Sequence, residues 1–180
     1  MQIHLTALPD LLVFEPTTYD DRRGSVTEVW QADRYRAAGL PDFVQDNVSR
    51  SCRLALRGLH YQLGNQGKLI TVLSGSAFDV AVDLRRGSPT FGRWFGIHLH
   101  GEHLRQLWIP PGFAHGLLAT SARMDVHYKL SERRIPEHER ILRWDDPTIA
   151  IDWPMAPGEV PILSDRDRDA PMLDQLELPT

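Results

Sequence analysis

The amino-acid sequence predicts an all-β protein that folds as a jelly-roll barrel with a few short helices. Short runs of alternating apolar and polar residues fill the middle of the chain, and glycine, proline and polar residues separate them. Strands at such short spacing favour a sandwich or a barrel over βαβ units. No internal repeat, charged block or low-complexity linker divides the 180 residues. We therefore expect one domain over residues 1–180 with its own hydrophobic core.

Three stretches have the strict period of two that only a strand satisfies. They are Ala77–Leu84, Phe95–His100 and Met124–Leu130. In the third stretch, Tyr128 shares its side with the apolar residues, so its ring is expected to point toward the barrel interior. A phenol in that place is either a core residue with a satisfied hydroxyl group or a reactive group in a pocket.

The two ends of the chain have different patterns. One helix is expected over Gln31–Ala38, with Gly39 at its C-terminal end and Pro41 just beyond. From about Pro154 onward, prolines and acidic residues predominate. We expect this C-terminal segment to wrap the barrel surface rather than to build the core.

Composition and charge narrow the function classes. Apolar residues make up 42% of the chain and charged residues 24%, as in ordinary globular proteins. The formal net charge of -4 argues against nucleic acid as a partner, because phosphate binding needs a concentrated basic face. Cys52 is the single cysteine, so it has no internal disulfide partner, which fits a reducing cytoplasm. With no signal-peptide pattern and no apolar run of membrane-spanning length, we expect a cytoplasmic protein without a membrane partner.

A motif in the second half of the chain resembles part of the metal-binding pattern of cupin barrels. That pattern has a His-x-His pair with a nearby Glu, followed later by Pro-x-Gly-x-x-His. Pro110-x-Gly112-x-x-His115 matches the second part, but Gln62 stands two residues after His60, and no Glu follows closely. Because a metal needs three or four well-placed ligands, we expect a cupin-type jelly-roll barrel with no metal and no cofactor. Its histidines are then available for proton transfer.

His60 is the first candidate for such chemistry. A single histidine is more often structural than catalytic, but Arg57 offers a fork for phosphate or carboxylate, and Gly58 permits a ligand or another strand to approach closely. Lys68 begins an apolar strand, where a charged side chain needs an ion-pairing or hydrogen-bonding partner or a functional role. Asp167 is either an exposed charge in the acidic C-terminal segment or a carboxylate that orients a histidine.

Two polar clusters nearer the N-terminus have two interpretations. One surrounds Arg23, and the other runs from Gln45 to Ser49. Both are turns if judged by their Asp, Asn and Gly content. Alternatively, Arg23 and Arg57 clamp a diphosphate, while Gln45 and Asn47 supply neutral hydrogen bonds. The residues alone therefore predict a polar barrel pocket with His, Lys, Tyr and paired Arg side chains.

Many short motifs occur in one order along the chain. They include Arg57-Gly58-Leu59-His60-Tyr61-Gln62, Gln66-Gly67-Lys68-Leu69, Phe78-Asp79-Val80-Ala81-Val82-Asp83-Leu84-Arg85, Arg105-Gln106-Leu107-Trp108-Ile109-Pro110, Gly112-Phe113-Ala114-His115-Gly116 and Trp144-Asp145-Asp146-Pro147. This ordered set resembles the dTDP-4-dehydrorhamnose 3,5-epimerases from about Val13 to the end. So many blocks in one order are far more specific than any single motif.

The resemblance implies an isomerase that inverts C3 and C5 of dTDP-4-dehydro-6-deoxy-D-glucose through an enolate, giving dTDP-4-dehydro-L-rhamnose. Both carbons lie next to the C4 ketone, so each inversion is a proton removal from one face and a proton addition on the other. By resemblance, His60 is the base, and Asp167 holds its tautomer and stabilises the imidazolium. Lys68 is similar to the cation near the C4 oxygen, Tyr128 to the acid on the opposite face, and His115 to a second histidine for positioning and electrostatics.

The resemblance also implies substrate-contact positions and a partner. Tyr19 replaces the aromatic residue that commonly stacks on the thymine. The other matching positions are Arg23, Glu28, Gln45, Asn47, Arg57, Glu139 and Arg166. Similar enzymes are homodimers that exchange N-terminal strands, so we expect a homodimer in which Tyr19 and Arg23 serve the pocket of the other subunit. Such pairing also covers strand edges, which an antiparallel barrel must close or cover.

The chain departs from the family pattern at positions that bear on base stacking and pocket width. Ser25 and Val26 stand where aromatic residues usually follow Arg-Gly. Arg133 and Arg134 stand where tyrosines are common, and Leu117 stands where a phenylalanine usually ends the Gly-Phe-Ala-His-Gly motif. The alternatives are a monofunctional 3- or 5-epimerase on a related dTDP-4-keto-deoxysugar, a metal cupin, or a non-catalytic sugar-nucleotide binding barrel.

Overall fold

The computed structural model describes residues 1–179 and consists mainly of β-strands. The strands are β1 (Gln2–Leu5), β2 (Leu12–Glu15), β3 (Thr18–Asp21), β4 (Gly24–Thr27), β5 (Gln45–Cys52), β6 (Leu56–Gln62), β7 (Lys68–Ser74), β8 (Ser76–Asp83), β9 (Trp94–His100), β10 (Gln106–Ile109), β11 (Phe113–Ala119), β12 (Arg123–Leu130) and β13 (Glu139–Ile141). The helices are α1 (Ala32–Ala37) and α2 (Asp165–Arg168), with single 3₁₀ turns at Pro136–His138 and Leu173–Gln175. No helix within residues 1–179 is both long and apolar enough to cross a bilayer.

The strands form two sheets that pack face to face and one separate hairpin. The six-stranded sheet has the order β1-β2-β10-β7-β12-β5, and the five-stranded sheet has the order β13-β6-β11-β8-β9. The strands within both sheets pair antiparallel. The hairpin is β3-β4. This architecture confirms the all-β barrel that the sequence predicts. The three stretches of the sequence in which apolar and polar residues alternate correspond to β8, β9 and β12.

Both faces of the five-stranded sheet are buried, and each belongs to a different core. On β8, Ala77 and Ala81 point into the core between the two sheets. Phe78 and Val80 point the other way, into a second core that includes Trp153. The alternation therefore identifies the strand correctly, but the face with the larger apolar side chains lies outside the barrel.

Helix α1 covers the outer face of the six-stranded sheet. The sequence predicts it over Gln31–Ala38, and the structure places it within one residue of those limits. The Gln31 side chain accepts a hydrogen bond from the Arg34 backbone N–H at 2.7 Å, and Gly39 takes a φ of +88°, so both ends have caps. Tyr35 anchors the helix, because its buried ring packs against Phe14 and its hydroxyl donates to a glutamine of β10 at 2.6 Å.

The C-terminal segment from about residue 154 lies against the outer face of the five-stranded sheet. Leu163, Leu173 and Leu176 pack against the second core, and Ile162 makes a parallel bridge to Ala55. These contacts hold α2 beside β6, so that side chains of α2 reach the barrel.

Candidate active site

A cavity of about 330 Å³ opens between the two sheets. It is lined mainly by polar and charged side chains. The lining residues are Asn47, Val48, Ser49, Arg57, His60, Gln66, Lys68, His115, Leu117, Tyr128, Leu130, Arg134, Glu139, Arg140, Ile141 and Arg166. Eight of the candidate residues from the sequence come together here: Asn47, Arg57, His60, Lys68, His115, Tyr128, Glu139 and Arg166.

His60 lies in the middle of β6 and forms a dyad with Asp167 of α2. Its Nε2 is 2.6 Å from Asp167 Oδ1. The His60 side chain is 39% exposed and that of Asp167 only 5%, so the imidazole is reached from the cavity while the carboxylate is enclosed. Burial opposes ionisation of Asp167, but the hydrogen bond and charge of His60 outweigh it, and the pKa of Asp167 lies below its usual range. This dyad can accept a proton on the free nitrogen of His60 and stabilise the resulting charge.

His115 lies opposite His60 on the neighbouring strand β11 and forms a second dyad. The two histidines are register partners, and His115 Nε2 is 3.0 and 3.1 Å from the two oxygens of Asp79 on β8. Both side chains are buried, at 5% and 0% exposure. Burial lowers the pKa of His115, although Asp79 opposes the shift. Sequence reasoning missed Asp79, although a carboxylate between the alanines of a buried strand face was a signal, because a buried charge needs a partner.

Gly58 and Gly116 allow β6 and β11, the strands that carry the two histidines, to approach each other closely. Gly58 has a φ of +129°, and a Cβ atom there would lie 2.6 Å from the Cα of Gly116 and 2.7 Å from the carbonyl oxygen of His115. No side chain fits at such distances. The register of β6 and β11 shifts just beyond His115, where this contact occurs. Gly58 therefore sets the close approach that brings the two imidazoles side by side.

Lys68 begins β7 on the opposite sheet. Its Nζ donates a hydrogen bond to the backbone oxygen of His60 at 3.0 Å, which fixes the ammonium beside the first dyad. Burial lowers the pKa of Lys68 to about 8, and the charges of Glu139 and Asp79 oppose the shift. The ammonium group is therefore still charged at neutral pH and is available to a developing negative charge.

Tyr128 lies on β12 and points to the core between the sheets, on the side that the alternation indicates. Its hydroxyl is 3.1 Å from Ser49 Oγ, and its ring centroid is 6.2 Å from that of His115. Burial raises the pKa of Tyr128 to about 12, although the hydrogen bond with Ser49 opposes the shift. The phenol is thus a neutral donor at physiological pH. Ser49 belongs to a polar cluster noted in the sequence but was not singled out there.

The basic residues of the cavity have different partners. Arg57 donates to neutral acceptors only among the described residues, Ser51 Oγ at 3.0 Å and the backbone oxygen of Arg50 at 3.2 Å. Arg134 instead donates to both carboxylate oxygens of Glu139, each at 2.6 Å. Arg166 lies 3.7 Å from the same carboxylate.

Glu139 therefore forms an ion pair with Arg134 in this structure. The hydrogen bonds from Arg134 hold the pKa of Glu139 below its usual range, although burial opposes this shift. Gln45 lies beside the cavity rather than in its lining: its side chain donates to Asn47 Oδ1 at 3.1 Å and accepts from the Arg134 backbone N–H at 2.9 Å. Arg134 itself was noted in the sequence only as a departure from a family pattern, and the structure places it in the lining.

Three candidate residues are not brought to the cavity of a single chain. Tyr19 lies on the separate β3-β4 hairpin and is 63% exposed. Arg23, at the turn of that hairpin, pairs with Asp21. Glu28 pairs with Arg34 of α1 at 2.6 Å. Within residues 1–179, no group of three or more His, Cys, Asp and Glu side chains has an arrangement that holds a metal ion.

The chain is similar over nearly its whole length to known sugar-nucleotide epimerases. The sequence profile of the dTDP-4-dehydrorhamnose 3,5-epimerase family matches residues 5–175. The dTDP-4-dehydrorhamnose 3,5-epimerase of Pseudomonas aeruginosa is 50% identical over 165 residues, which cover 90% of each protein.

Two crystal structures extend the comparison to the fold. The dTDP-6-deoxy-D-glucose-3,5-epimerase of Legionella pneumophila, in complex with dTDP-4-keto-L-rhamnose, is 48% identical with a TM-score of 0.95, covering 99% of this chain and 97% of that chain. ChmJ, a 3′-monoepimerase from Streptomyces bikiniensis in complex with dTDP-quinovose, is 34% identical with a TM-score of 0.92, covering 98% and 92%. These matches confirm the cupin-type barrel and the isomerase class expected from the sequence. The chain belongs to the dTDP-4-dehydrorhamnose 3,5-epimerase family.

Proposed function

We propose that this protein inverts C3 and C5 of dTDP-4-dehydro-6-deoxy-D-glucose to give dTDP-4-dehydro-L-rhamnose, by acid/base proton transfer without a metal. The observation that carries this proposal is the placement of a His–Asp dyad and a neutral phenol on facing sheets of one cavity. Inversion needs proton removal on one face of the sugar and proton addition on the other, and two facing walls supply both.

His60 is the base in this proposal. Its Nε2 is engaged by Asp167, so the lone pair on Nδ1 takes the proton from C3 or C5. The ionised Asp167 then stabilises the imidazolium and holds the ring in place. General-base catalysis of this kind contributes about 10²–10⁴-fold to the rate.

Lys68 stabilises the enolate. Proton removal moves negative charge to the C4 oxygen, and a fixed cation stabilises that charge most in the transition state, where it develops. Its hydrogen bond to the His60 backbone keeps the ammonium next to the base. His115 adds a neutral donor or acceptor that Asp79 holds in position.

Tyr128 donates its own phenolic proton from the opposite wall, and the proton that His60 took leaves the imidazolium for solvent. It lies on the six-stranded sheet, whereas His60 lies on the five-stranded sheet. A neutral phenol is a suitable acid here, and Ser49 keeps its hydroxyl oriented. A phenolate formed in the step is short-lived and recovers its proton from solvent.

The remaining candidates bind the substrate. Arg57, with no carboxylate partner among residues 1–179, is available to the diphosphate. Asn47 supplies neutral hydrogen bonds in the lining, where Arg166 adds a further cation. Arg57→Ala should therefore raise KM strongly while kcat changes little.

We further propose a homodimer in which the β3-β4 hairpin of one subunit reaches the cavity of the other. The support is that Tyr19 and Arg23 lie outside the cavity of their own chain, on an exposed two-stranded hairpin. Mixing inactive His60→Ala protein with Arg23→Ala protein tests this, because a mixed dimer has one pocket with both residues intact. Recovered activity supports the exchange; a monomeric mass by light scattering with full activity overturns it.

A single-carbon epimerase is the alternative that a specific observation favours. ChmJ, a 3′-monoepimerase, shares this fold at a TM-score of 0.92, so the barrel does not separate the two activities. NMR of the substrate after incubation with the enzyme in D₂O distinguishes the double epimerase from a single-carbon epimerase. Deuterium at both C3 and C5 supports the double epimerase, deuterium at one carbon supports a monofunctional enzyme, and deuterium at neither indicates a sugar-nucleotide binder. Stoichiometric metal that survives chelation would instead indicate a metal cupin.

The proposed location is the cytoplasm. The support is the single cysteine, Cys52, which is exposed and has no internal disulfide partner. Cell fractionation followed by immunoblotting tests this assignment.

A further inference from the structure

The carboxylate of the first dyad comes from a helix that is too short to be stable on its own. Helix α2 has four residues, whereas isolated helices shorter than about 12–15 residues are marginal in water. One of its backbone bonds runs from the Arg168 N–H to the carbonyl oxygen of Ser164 at 3.0 Å. The position of Asp167 therefore depends on the caps and contacts that fix this single turn.

The segments on both sides of α2 are held by the rest of the fold. Before the helix, the backbone oxygen of Ile162 accepts a hydrogen bond from the Leu56 N–H at 3.0 Å. After the helix, the Leu173 N–H donates to Oδ2 of the buried Asp146 at 2.8 Å. These anchors fix where the chain enters α2 and where it leaves. None of these bonds involves Asp167, so they do not by themselves orient its carboxylate.

Ser164 is the N-cap of α2, and its side chain bonds to Asp167 itself. The Ser164 backbone is extended, with φ −71° and ψ 159°, and its Oγ accepts a hydrogen bond from the Asp167 N–H at 3.2 Å. Such a bond satisfies one of the free N–H groups at a helix N-terminus. In α2 the residue that donates it is also the one whose carboxylate meets His60 Nε2 at 2.6 Å. The cap therefore fixes the backbone from which the carboxylate of the dyad projects.

Ser164 also acts on the charge of this carboxylate. Burial opposes ionisation of Asp167, but its hydrogen bonds, which include those of Ser164 and of the Gly58 backbone, keep its pKa below the usual range. Ser164 is the one of these partners that lies next to the same helical turn. It does not line the cavity. A substitution there changes how the carboxylate is held without removing a group from the cavity wall.

We propose that Ser164 is a positioning residue for the reaction, because it holds Asp167 in the orientation that aligns His60 and stabilises the imidazolium. This inference rests on the proposed function, since it takes His60 to be the base. Ser164 acts on the substrate through Asp167 and not by direct contact. The N-cap of α2 then serves the chemistry as well as the helix.

Five variants separate the cap from the fold. Ser164→Ala removes the cap, whereas Ser164→Thr and Ser164→Asn keep a side-chain oxygen that can accept the same N–H. Asp165→Ala is the matched control, because Asp165 lies in the same turn, is exposed and bonds to Arg168. The fifth variant combines Ser164→Ala with Asp167→Asn. For each protein we measure kcat, KM, melting temperature and the far-downfield proton NMR resonance of the His60–Asp167 hydrogen bond.

An N-cap side chain is worth roughly 3–30-fold in the equilibrium between an ordered and a frayed helix. We expect Ser164→Ala to lower kcat within that range, with KM within about twofold of the parent, and to weaken or shift the downfield resonance. Ser164→Thr and Ser164→Asn should keep kcat within about threefold of the parent, and Asp165→Ala should match it. In the Asp167→Asn background, Ser164→Ala should lower kcat by less than about twofold, because the group through which it acts is already lost.

Three results would overturn the assignment. An unchanged kcat and resonance in Ser164→Ala would leave the cap with a structural role alone. A loss in the Asp167→Asn background as large as that in the parent would show that Ser164 acts independently of Asp167. A loss that neither Ser164→Thr nor Ser164→Asn recovers would show that the cap is not the cause.

The resonance separates this inference from the proposed function, because it does not depend on turnover. A parent protein that exchanges no deuterium into C3 or C5 of the substrate would refute the proposed function. The resonance in Ser164→Ala would then still report whether Ser164 holds the dyad, and an unchanged resonance would overturn the inference as well.

Discussion

The two His–Asp dyads contain the same chemical groups in different surroundings. His60 and His115 are register partners on adjacent strands, and each meets a carboxylate through Nε2. Asp167 reaches His60 from a short helix outside the barrel, and the imidazole stays 39% exposed. Asp79 reaches His115 from within the same sheet, and both side chains are enclosed.

In the proposed mechanism, access to the cavity, rather than the His–Asp pair itself, separates the base His60 from the positioning group His115. A base must exchange its proton with substrate and then with solvent, which an exposed imidazole can do. In the buried dyad, burial lowers the pKa of His115, so the neutral imidazole is favoured there. We therefore expect substitutions at the exposed dyad to change the rate and substitutions at the buried dyad to change mainly the stability.

The largest effect is expected at His60. His60→Ala should lower kcat by about 10²–10⁴-fold with little change in KM, because the imidazole acts in the transition state. His115→Ala should lower kcat less but reduce the free energy of unfolding by about 3–5 kcal/mol, because it leaves the Asp79 carboxylate buried without its partner. Steady-state kinetics and chemical denaturation measure both. Near-normal exchange of both substrate protons by His60→Ala would end its assignment as base.

Tyr128→Phe tests whether the six-stranded sheet, which faces both dyads, takes part in proton transfer. The variant keeps the ring and removes the hydroxyl that contacts Ser49. We expect deuterium to enter the substrate through His60, while net inversion falls by roughly 10²-fold or product forms with altered stereochemistry. If Tyr128 is only a core residue, kinetics should stay near normal and stability should fall by about 0.5–1.5 kcal/mol for one lost hydrogen bond.

The two carboxylates give the most direct comparison. Asp167→Asn should lower kcat by about 10²–10⁴-fold with a small change in melting temperature, because the amide no longer stabilises the imidazolium. Asp79→Asn should have the opposite balance, with a stability loss of about 1–3 kcal/mol and a smaller change in kcat. Equal rate losses in both variants would mean that the dyads work together as bases.

The smallest effect is a pH dependence through Lys68. Burial lowers the pKa of Lys68 to about 8, so the ammonium group that we propose to stabilise the enolate loses its proton above that pH. We expect kcat to fall about tenfold between about pH 7 and pH 9. Since the folded pKa lies below the unfolded value, the unfolded chain binds more protons between about pH 8 and 10.5, and this group makes stability rise with pH there. A kcat that is flat to pH 9 would show that the charge of Lys68 is not used.

Sequence patterns identified the elements better than the contacts between them. The period of two located β8, and the glycine at position 39 located the end of α1. The alternation did not reveal that Asp79 faces the barrel interior, because both faces of β8 are buried and the apolar face belongs to the outer core.

Contacts between distant residues were beyond the reach of local patterns. The pairing of His60 with Asp167 came from the family resemblance, since no periodicity links residues 107 apart. The Arg134–Glu139 pair was not foreseen, because its geometry depends on glutamines of two other strands. The contribution of Tyr19 and Arg23 to a pocket stays a prediction, and Glu28 pairs with Arg34 in the single chain.

The long separation of His60 from Asp167 also has a consequence during protein synthesis. At about 5–20 residues per second, the ribosome makes Asp167 roughly 5–20 s after His60. Barrel strands that fold in this interval hold a histidine without its carboxylate. In the proposed mechanism such a chain lacks the carboxylate that stabilises the imidazolium, so we expect His60 to become a competent base only when α2 docks against β6.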